Sequence, residues 1–167
     1  LVSGTILGFS ACIYYPLFLL PLWLSFYSQR GLLRFLSGVI TSLAVLVLLL
    51  FLSASTEEQF VADLRRMFGL MMPRMDDLQG IWMLGWDPAF RLPVMTAFFA
   101  LSATLALWPA QKNLGTLMSC SAAILVATRF WNGNGGGLYM GWYLPLILVT
   151  VFRPNLEDRV AMTVLVP

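Results

Sequence analysis

Five long stretches of the chain carry no charged side chain, and they constrain its fold more than any other feature of the sequence. A helix that crosses a bilayer needs about 17–25 mostly apolar residues. Four of the stretches reach that length, and the fourth in chain order falls just short of it. The stretches are residues 1–29, Phe35–Leu52, Leu92–Gln111, Asn113–Thr128 and Trp131–Phe152.

The composition supports a membrane protein. Apolar residues make up 59% of the chain and charged residues 11%, whereas soluble domains average about 45–50% and about 25%. We therefore predict an all-α fold, a polytopic transmembrane helical bundle with about five passes and one amphipathic interfacial helix. Residues 1–167 form a single transmembrane region in this interpretation, and ends that look cut predict a fragment of a larger membrane protein.

Prolines interrupt two of the predicted passes. Pro16 and Pro21 should kink or break the first pass, and Pro145 the fifth, because proline removes a helical hydrogen bond and clashes with the preceding turn. The predicted passes are Thr5–Tyr27, Phe35–Leu52, Pro93–Trp108, Leu114–Phe130 and Leu138–Phe152.

Residues 53–92 are predicted to form an extracytoplasmic loop with an amphipathic helix. Thr56 and Gln59 have the spacing of a capping box, and the helix should end before Pro73. It lies either at the membrane surface or against the rest of the protein. Trp82 and Trp86 are predicted to be interface anchors at headgroup level. The apolar face comprises Phe60, Val61, Leu64, Met67, Phe68, Met71 and Met72, and the charged face Glu57, Glu58, Asp63, Arg65 and Arg66.

Basic residues in the short loops suggest the orientation. Under the positive-inside rule, the loops that carry Arg30, Arg34, Lys112, Arg153 and Arg159 are predicted to be cytoplasmic. The opposite side would then hold Arg65, Arg66, Arg74, Arg91 and Arg129.

Several chemistries are excluded by composition. The chain has no histidine and two isolated cysteines, which excludes histidine-dependent catalysis and a structural zinc site. The basic residues are scattered, so we predict no nucleic-acid partner, and we assign no cofactor and no metal. Asp76 and Asp77 suggest general acid–base chemistry or a metal site, or else the start of a solvated loop after Pro73. The glycine-rich segment 132–137 lacks the end of a P-loop and is either a connecting loop or a phosphate contact.

Arg129 is the strongest candidate for a binding residue. It lies at the predicted end of the fourth pass beside Phe130 and Trp131. Its guanidinium either extends to the membrane surface or binds an anion such as phosphate. Tyr139, Trp142 and Tyr143 follow one short loop later, as belt residues or as a stacking surface for a sugar or a prenyl chain.

Two segments resemble a known family. They are Ile13-Tyr-Tyr-Pro-Leu-Phe-Leu-Leu-Pro-Leu-Trp23, followed by Arg30 and Arg34, and Gly141-Trp-Tyr-Leu-Pro-Leu146. Both are similar to segments of the C-superfamily integral-membrane glycosyltransferases that use polyprenyl-phosphate sugars, especially the bacterial alpha-mannosyltransferase-like group. The lysine that this family carries near Tyr15 is absent, as is the histidine that precedes its Trp-Tyr pair.

The resemblance implies transfer of a hexose, such as mannose, from a polyprenyl-phosphate donor to an extracytoplasmic acceptor. It implies membrane lipid and the lipid-linked sugar as partners, and a multi-pass location in a bacterial inner (cell) membrane. The catalytic carboxylate of the family is expected outside this chain, so no catalytic residue is assigned. The alternative is a transporter or flippase segment without catalysis. The substrate-binding residues predicted are Arg129, Trp142, Tyr143, Tyr139 and Tyr15.

Overall fold

A computed structural model describes residues 1–10, 15–28, 31–67, 80–108, 113–132 and 140–152. Within these ranges the regular structure is entirely helical, so the all-α prediction is confirmed. The α-helices are α1 (Val2–Ser10), α2 (Leu20–Tyr27), α3 (Leu32–Ser53), α4 (Glu57–Met67), α5 (Arg91–Leu107), α6 (Leu114–Trp131) and α7 (Met140–Phe152). Short 3-10 helices cover Tyr15–Leu19, Gly80–Leu84 and Pro88–Phe90.

Helices α3, α5, α6 and α7 follow the second to fifth predicted passes to within a few residues. In the described part of the chain, α3 and α6 are long and apolar enough to cross a membrane. The segment 16–27, α5 and α7 are apolar but shorter, with 10–17 residues. A five-pass bundle therefore stays a prediction.

The proline predictions have different outcomes. The first apolar stretch is not one helix: Pro16 lies in a 3-10 helix and Pro21 in the first turn of α2, where proline is tolerated. The predicted break at Pro145 is wrong, because α7 continues through it. Pro145 is the sixth residue of α7, just beyond the first four residues, whose N–H groups have no partner within the helix. Its missing N–H therefore costs α7 one hydrogen bond, close to its amino end.

The chain divides into two compact units, and α1, α3 and α4 lie in the first, formed by Leu1–Leu20 and Tyr27–Met72. Its central contact is a close crossing of α1 and α3 through small residues. A Cβ atom added to Gly4 would collide with the Phe35 carbonyl oxygen, and one added to Gly8 would lie 2.5 Å from Ser42 Cβ. Close backbone approach through small residues is a common way for membrane helices to pack.

Helix α4 begins where the sequence predicts. The backbone N–H of Gln59 donates to Thr56 Oγ1 over 3.2 Å, and Gln59 Oε1 accepts from the backbone N–H of Ser55 over 3.2 Å. This is a capping box whose return bond lies one residue earlier than usual. The Phe60 ring meets Phe51 of α3 edge-on, with centroids 5.6 Å apart.

The predicted faces of α4 are confirmed in part. Glu57, Glu58, Arg65 and Arg66 are exposed, and Phe60, Leu64 and Met67 are half-buried. Val61, assigned to the apolar face, is 43% exposed, and none of the eleven residues of α4 is fully buried. Phe68, Met71 and Met72 lie outside the described residues.

The second unit, formed by Pro21–Phe26 and Pro73–Pro167, contains α5, α6 and α7. Helix α6 packs against both α5 and α7 and supplies many of the buried residues. Trp23 Nε1 donates to Ser121 Oγ of α6 over 3.1 Å. Arg91 at the start of α5 contacts Trp131 at the end of α6, so the two helices run in opposite directions.

The α1–α3 crossing leads to a matched pair of substitutions. Gly4→Ala should lower the free energy of unfolding by about 1–3 kcal/mol, since the new Cβ meets backbone that cannot rotate away. Gly141→Ala in α7, where an added Cβ meets nothing within 4 Å, should raise it by about 0.5–1 kcal/mol. Denaturant titration in detergent micelles measures both, and equal effects would contradict the crossing.

Candidate functional site

The carbonyl groups at the carboxyl end of α6 accept hydrogen bonds from side chains at the start of α5 and in the segment before it. The last carbonyl groups of a helix lack partners within the helix. At this end, Trp82 Nε1 donates to the Phe130 carbonyl oxygen over 2.8 Å. Arg91 donates twice to the Trp131 carbonyl oxygen, from Nε over 3.1 Å and from Nη2 over 2.8 Å. We call Trp82, Arg91, Phe98 and Trp131 the α6-end cluster.

Arg91 is a buried cation, with 2% of its surface exposed. Removing a charge from water is costly unless hydrogen bonds or opposite charge compensate it. The Trp131 carbonyl and the negative end of the α6 dipole both favour a cation at this position. The guanidinium carbon also lies 5.7 Å from the centroid of the Trp82 ring, within the range of a cation–π interaction.

The local sequence explains how Arg91 and Trp82 reach the same helix end. Gly85 adopts φ +80°, a left-handed conformation that glycine reaches without strain. Asp87 Oδ1 then accepts the backbone N–H of Ala89 over 2.8 Å, which starts the 3-10 helix that leads into Arg91. These two features turn the chain between the two donors.

An aromatic contact completes the cluster. The rings of Phe98 and Trp131 have centroids 5.7 Å apart and an interplanar angle of 48°, a tilted arrangement within the range that aromatic pairs favour. Both side chains are buried. Phe98 of α5 therefore contacts the residue whose carbonyl oxygen accepts both hydrogen bonds from Arg91.

Helices α6 and α7 carry three of the predicted binding residues. Arg129 lies in the last turn of α6 and is half-buried, and Trp142 and Tyr143 lie in the first turn of α7 and are half-buried too. The two helices pack against each other. Convergence of the three side chains on one cavity stays a prediction.

The other predicted binding residues are described less fully. Tyr139 lies outside the described residues, as do Asp76, Asp77 and the segment 133–137. Tyr15 begins the 3-10 helix Tyr15–Leu19, and its side chain lies outside the described part. Within the described ranges no cluster of three or more histidine, cysteine or acidic side chains could hold a metal ion.

For two residues of the α6-end cluster, the position in the structure differs from the one that the sequence predicts. The sequence predicts Arg91 to lie among the basic residues of the extracytoplasmic loop, whereas it is the first residue of α5 and is buried. Trp82 was predicted to anchor at the headgroups, whereas it is buried and donates to Phe130; Trp86 is exposed. One sequence feature points to the burial of Arg91: it lies between Phe90 and Leu92, at the start of a charge-free stretch.

Comparisons with known proteins add no assignment: no protein-family model, curated protein or solved structure matches this chain.

The α6-end cluster can be tested by removing its cation. Arg91→Met should lower the free energy of unfolding by about 1–3 kcal/mol, because a buried carbonyl loses its donors. Arg91→Lys should recover only part of the loss, since lysine lacks the planar fork. Denaturant titration in detergent micelles is the measurement.

The matched control is Arg66→Met in α4. Arg66 is exposed and its guanidinium lies 3.4 Å from the Asp63 carboxylate, a surface pair worth about 0–1 kcal/mol. A loss at Arg91 no larger than the loss at Arg66 would remove the structural role assigned to the buried cation.

Proposed function

We propose that this chain is an integral membrane protein in which α3 and α6 cross the bilayer. The observation that carries the proposal is α3. Its 22 residues extend about 33 Å at 1.5 Å per residue, close to the roughly 30 Å of a bilayer's hydrocarbon core. Only 22% of the most apolar 18-residue part of α3 is buried, whereas the core helix of a soluble protein would be mostly buried.

The outer face of α3 is suited to lipid. Six of its large apolar side chains are each more than half exposed, which in water would form an extended apolar surface. They are Leu33, Ile40, Leu48, Leu49, Phe51 and Leu52.

Two exposed hydroxyl groups on the apolar helix α5 suit the same environment. Thr96 Oγ1 donates to the Leu92 carbonyl over 2.9 Å, and Thr104 Oγ1 to the Ala100 carbonyl over 2.7 Å. Each hydroxyl is thus satisfied by the helix that carries it. This pattern is compatible with lipid, where no water is present to accept the hydrogen bond.

Helix α4 is proposed to lie at the membrane surface. It begins four residues after α3 ends. Glu57, Glu58, Arg65 and Arg66 are exposed, Asp63 is half-buried, and Phe60 packs against Phe51. A short helix with one charged face and one half-buried apolar face suits the headgroup region.

At a finer level we propose that the chain belongs to a membrane hexosyltransferase that uses a polyprenyl-phosphate donor. The family resemblance supports this, together with the position of Arg129 on α6 and of Trp142 and Tyr143 on the adjacent α7. A lipid phosphate needs a cation at the membrane surface, and its prenyl chain and sugar need apolar and aromatic contacts. The acceptor, the location in a bacterial inner membrane and a catalytic carboxylate outside this chain belong to this proposal.

A transporter or flippase segment is the second candidate, and one observation favours it. The first apolar stretch is not one continuous α-helix, since the 3-10 helix Tyr15–Leu19 lies between α1 and α2. Discontinuous helices are common around the substrate sites of secondary transporters.

Thiol labelling in sealed vesicles tests the membrane proposal, in a variant with Cys12 and Cys120 replaced by serine. A membrane-impermeant maleimide should reach Arg34→Cys and Lys112→Cys from one side, and Thr56→Cys and Asn134→Cys from the other. Labelling of Arg34→Cys and Thr56→Cys from the same side would exclude a crossing by α3. Labelling of Lys112→Cys and Asn134→Cys from the same side would exclude a membrane crossing by α6.

The transferase proposal is tested at Arg129. In the full-length protein, Arg129→Ala should lower transfer of labelled mannose from polyprenyl-phosphate mannose by about 10- to 100-fold, since a charge-assisted hydrogen bond is worth about 1.5–3 kcal/mol. Arg129→Lys should restore part of the activity, because it keeps the charge without the planar fork. Membranes containing equal amounts of each variant should be compared, with Arg66→Ala on the exposed face of α4 as the control. Full activity of Arg129→Ala would make Arg129 a structural residue.

A further inference from the structure

Helices α1 and α3 run in the same direction. A Cβ atom added to Gly4 would contact Phe35 and Val39 of α3. A Cβ atom added to Gly8 would contact Val39 and Ser42. The contact on α3 therefore moves toward its carboxyl end as α1 proceeds. Since Ser42 is the eleventh of the 22 residues of α3, α1 reaches the midpoint of α3 near its own end.

By Tyr27 the chain has returned to the starting end of α3. Ser3 Oγ donates to the Tyr27 hydroxyl over 2.8 Å. The Tyr27 ring stacks on Phe35 in the first turn of α3, with centroids 4.7 Å apart and an interplanar angle of 11°. The beginning of α1, the end of α2 and the beginning of α3 therefore lie at one level.

We infer that the chain between Ser3 and Tyr27 is a re-entrant element, which enters and leaves the bilayer on the side where α3 begins. The inference rests on the proposal that α3 crosses the membrane. Two side chains joined by a hydrogen bond cannot lie on opposite sides of about 30 Å of hydrocarbon. The segment 5–27, predicted from its composition to be a complete pass, then makes no net crossing.

The depth of α1 has a physical consequence. A helix that ends near the middle of a bilayer leaves its last carbonyl groups where lipid offers no donor. Ser10 Oγ satisfies one of them, donating to the Leu7 carbonyl over 2.7 Å.

Distances between nitroxide labels test the inference in phosphatidylcholine–phosphatidylglycerol vesicles, again with both native cysteines replaced. The pair Val2→Cys/Ser28→Cys leaves the Ser3–Tyr27 hydrogen bond intact and should give a separation below about 20 Å. A segment that crosses should give about 30 Å or more. The control pair Leu33→Cys/Leu52→Cys spans α3 and should give about 28 Å, from 19 residues at 1.5 Å each.

Depth measurements complete the test. Collisions with dissolved oxygen should raise the relaxation rate of a nitroxide at Phe9→Cys as much as that of one at Val45→Cys in the middle of α3. The relaxation rate of a nitroxide at Val2→Cys should rise less. A long Val2–Ser28 distance, or a Phe9 label at headgroup depth, would overturn the re-entrant element. If instead Arg34→Cys and Thr56→Cys react from the same side, the membrane proposal itself is wrong, whatever the distances.

Discussion

Helix ends in apolar surroundings need hydrogen-bond donors, and the second unit is organised around one such need. The Trp131 carbonyl at the end of α6 receives two bonds from Arg91, and the neighbouring Phe130 carbonyl receives one from Trp82. These bonds tie the start of α5 and the segment before it to α6, against which α7 also packs. Direct side-chain donors matter most where water is scarce, because nothing else can satisfy the carbonyl groups.

The first unit uses a different solution, the close approach of backbones. Gly4 and Gly8 on α1 leave room for the backbone and Ser42 of α3. The single hydroxyl proton of Ser42 is shared between the Gly38 carbonyl oxygen of its own helix, at 2.9 Å, and the Thr5 carbonyl oxygen of α1, at 3.2 Å. Between apolar helices in lipid the hydrophobic effect contributes little, so van der Waals contact and such bonds must hold the helices together. The same crossing fixes the depth that α1 reaches along α3.

The sequence predicts α3, α5, α6 and α7 to within a few residues because long charge-free stretches have few folded alternatives to a helix, whereas the first stretch is divided between α1, a 3-10 helix and α2. It predicted the start of α4 because Thr56 and Gln59 interact over one turn. It did not predict Arg91, whose acceptor is a main-chain carbonyl 40 residues away, and any residue at position 131 would present that carbonyl. The spacing of Gly4 and Gly8 is a known packing signal, yet only the structure gives the partner and the direction. Arg129, Trp142 and Tyr143 were placed on adjacent helices by their loop length, but their chemistry depends on a ligand that composition cannot reveal.

The distance along the chain between Arg91 and its acceptor has a consequence for biosynthesis. Chains are made from the amino end, so Arg91 leaves the ribosome before the carbonyl of Trp131, 40 residues later, has been made. Until then, α5 carries at its start a cation that lacks its final partner, and burying a cation without a partner is costly. The hairpin of α5 and α6 can therefore reach its final form only as a pair, after translation has passed the end of α6.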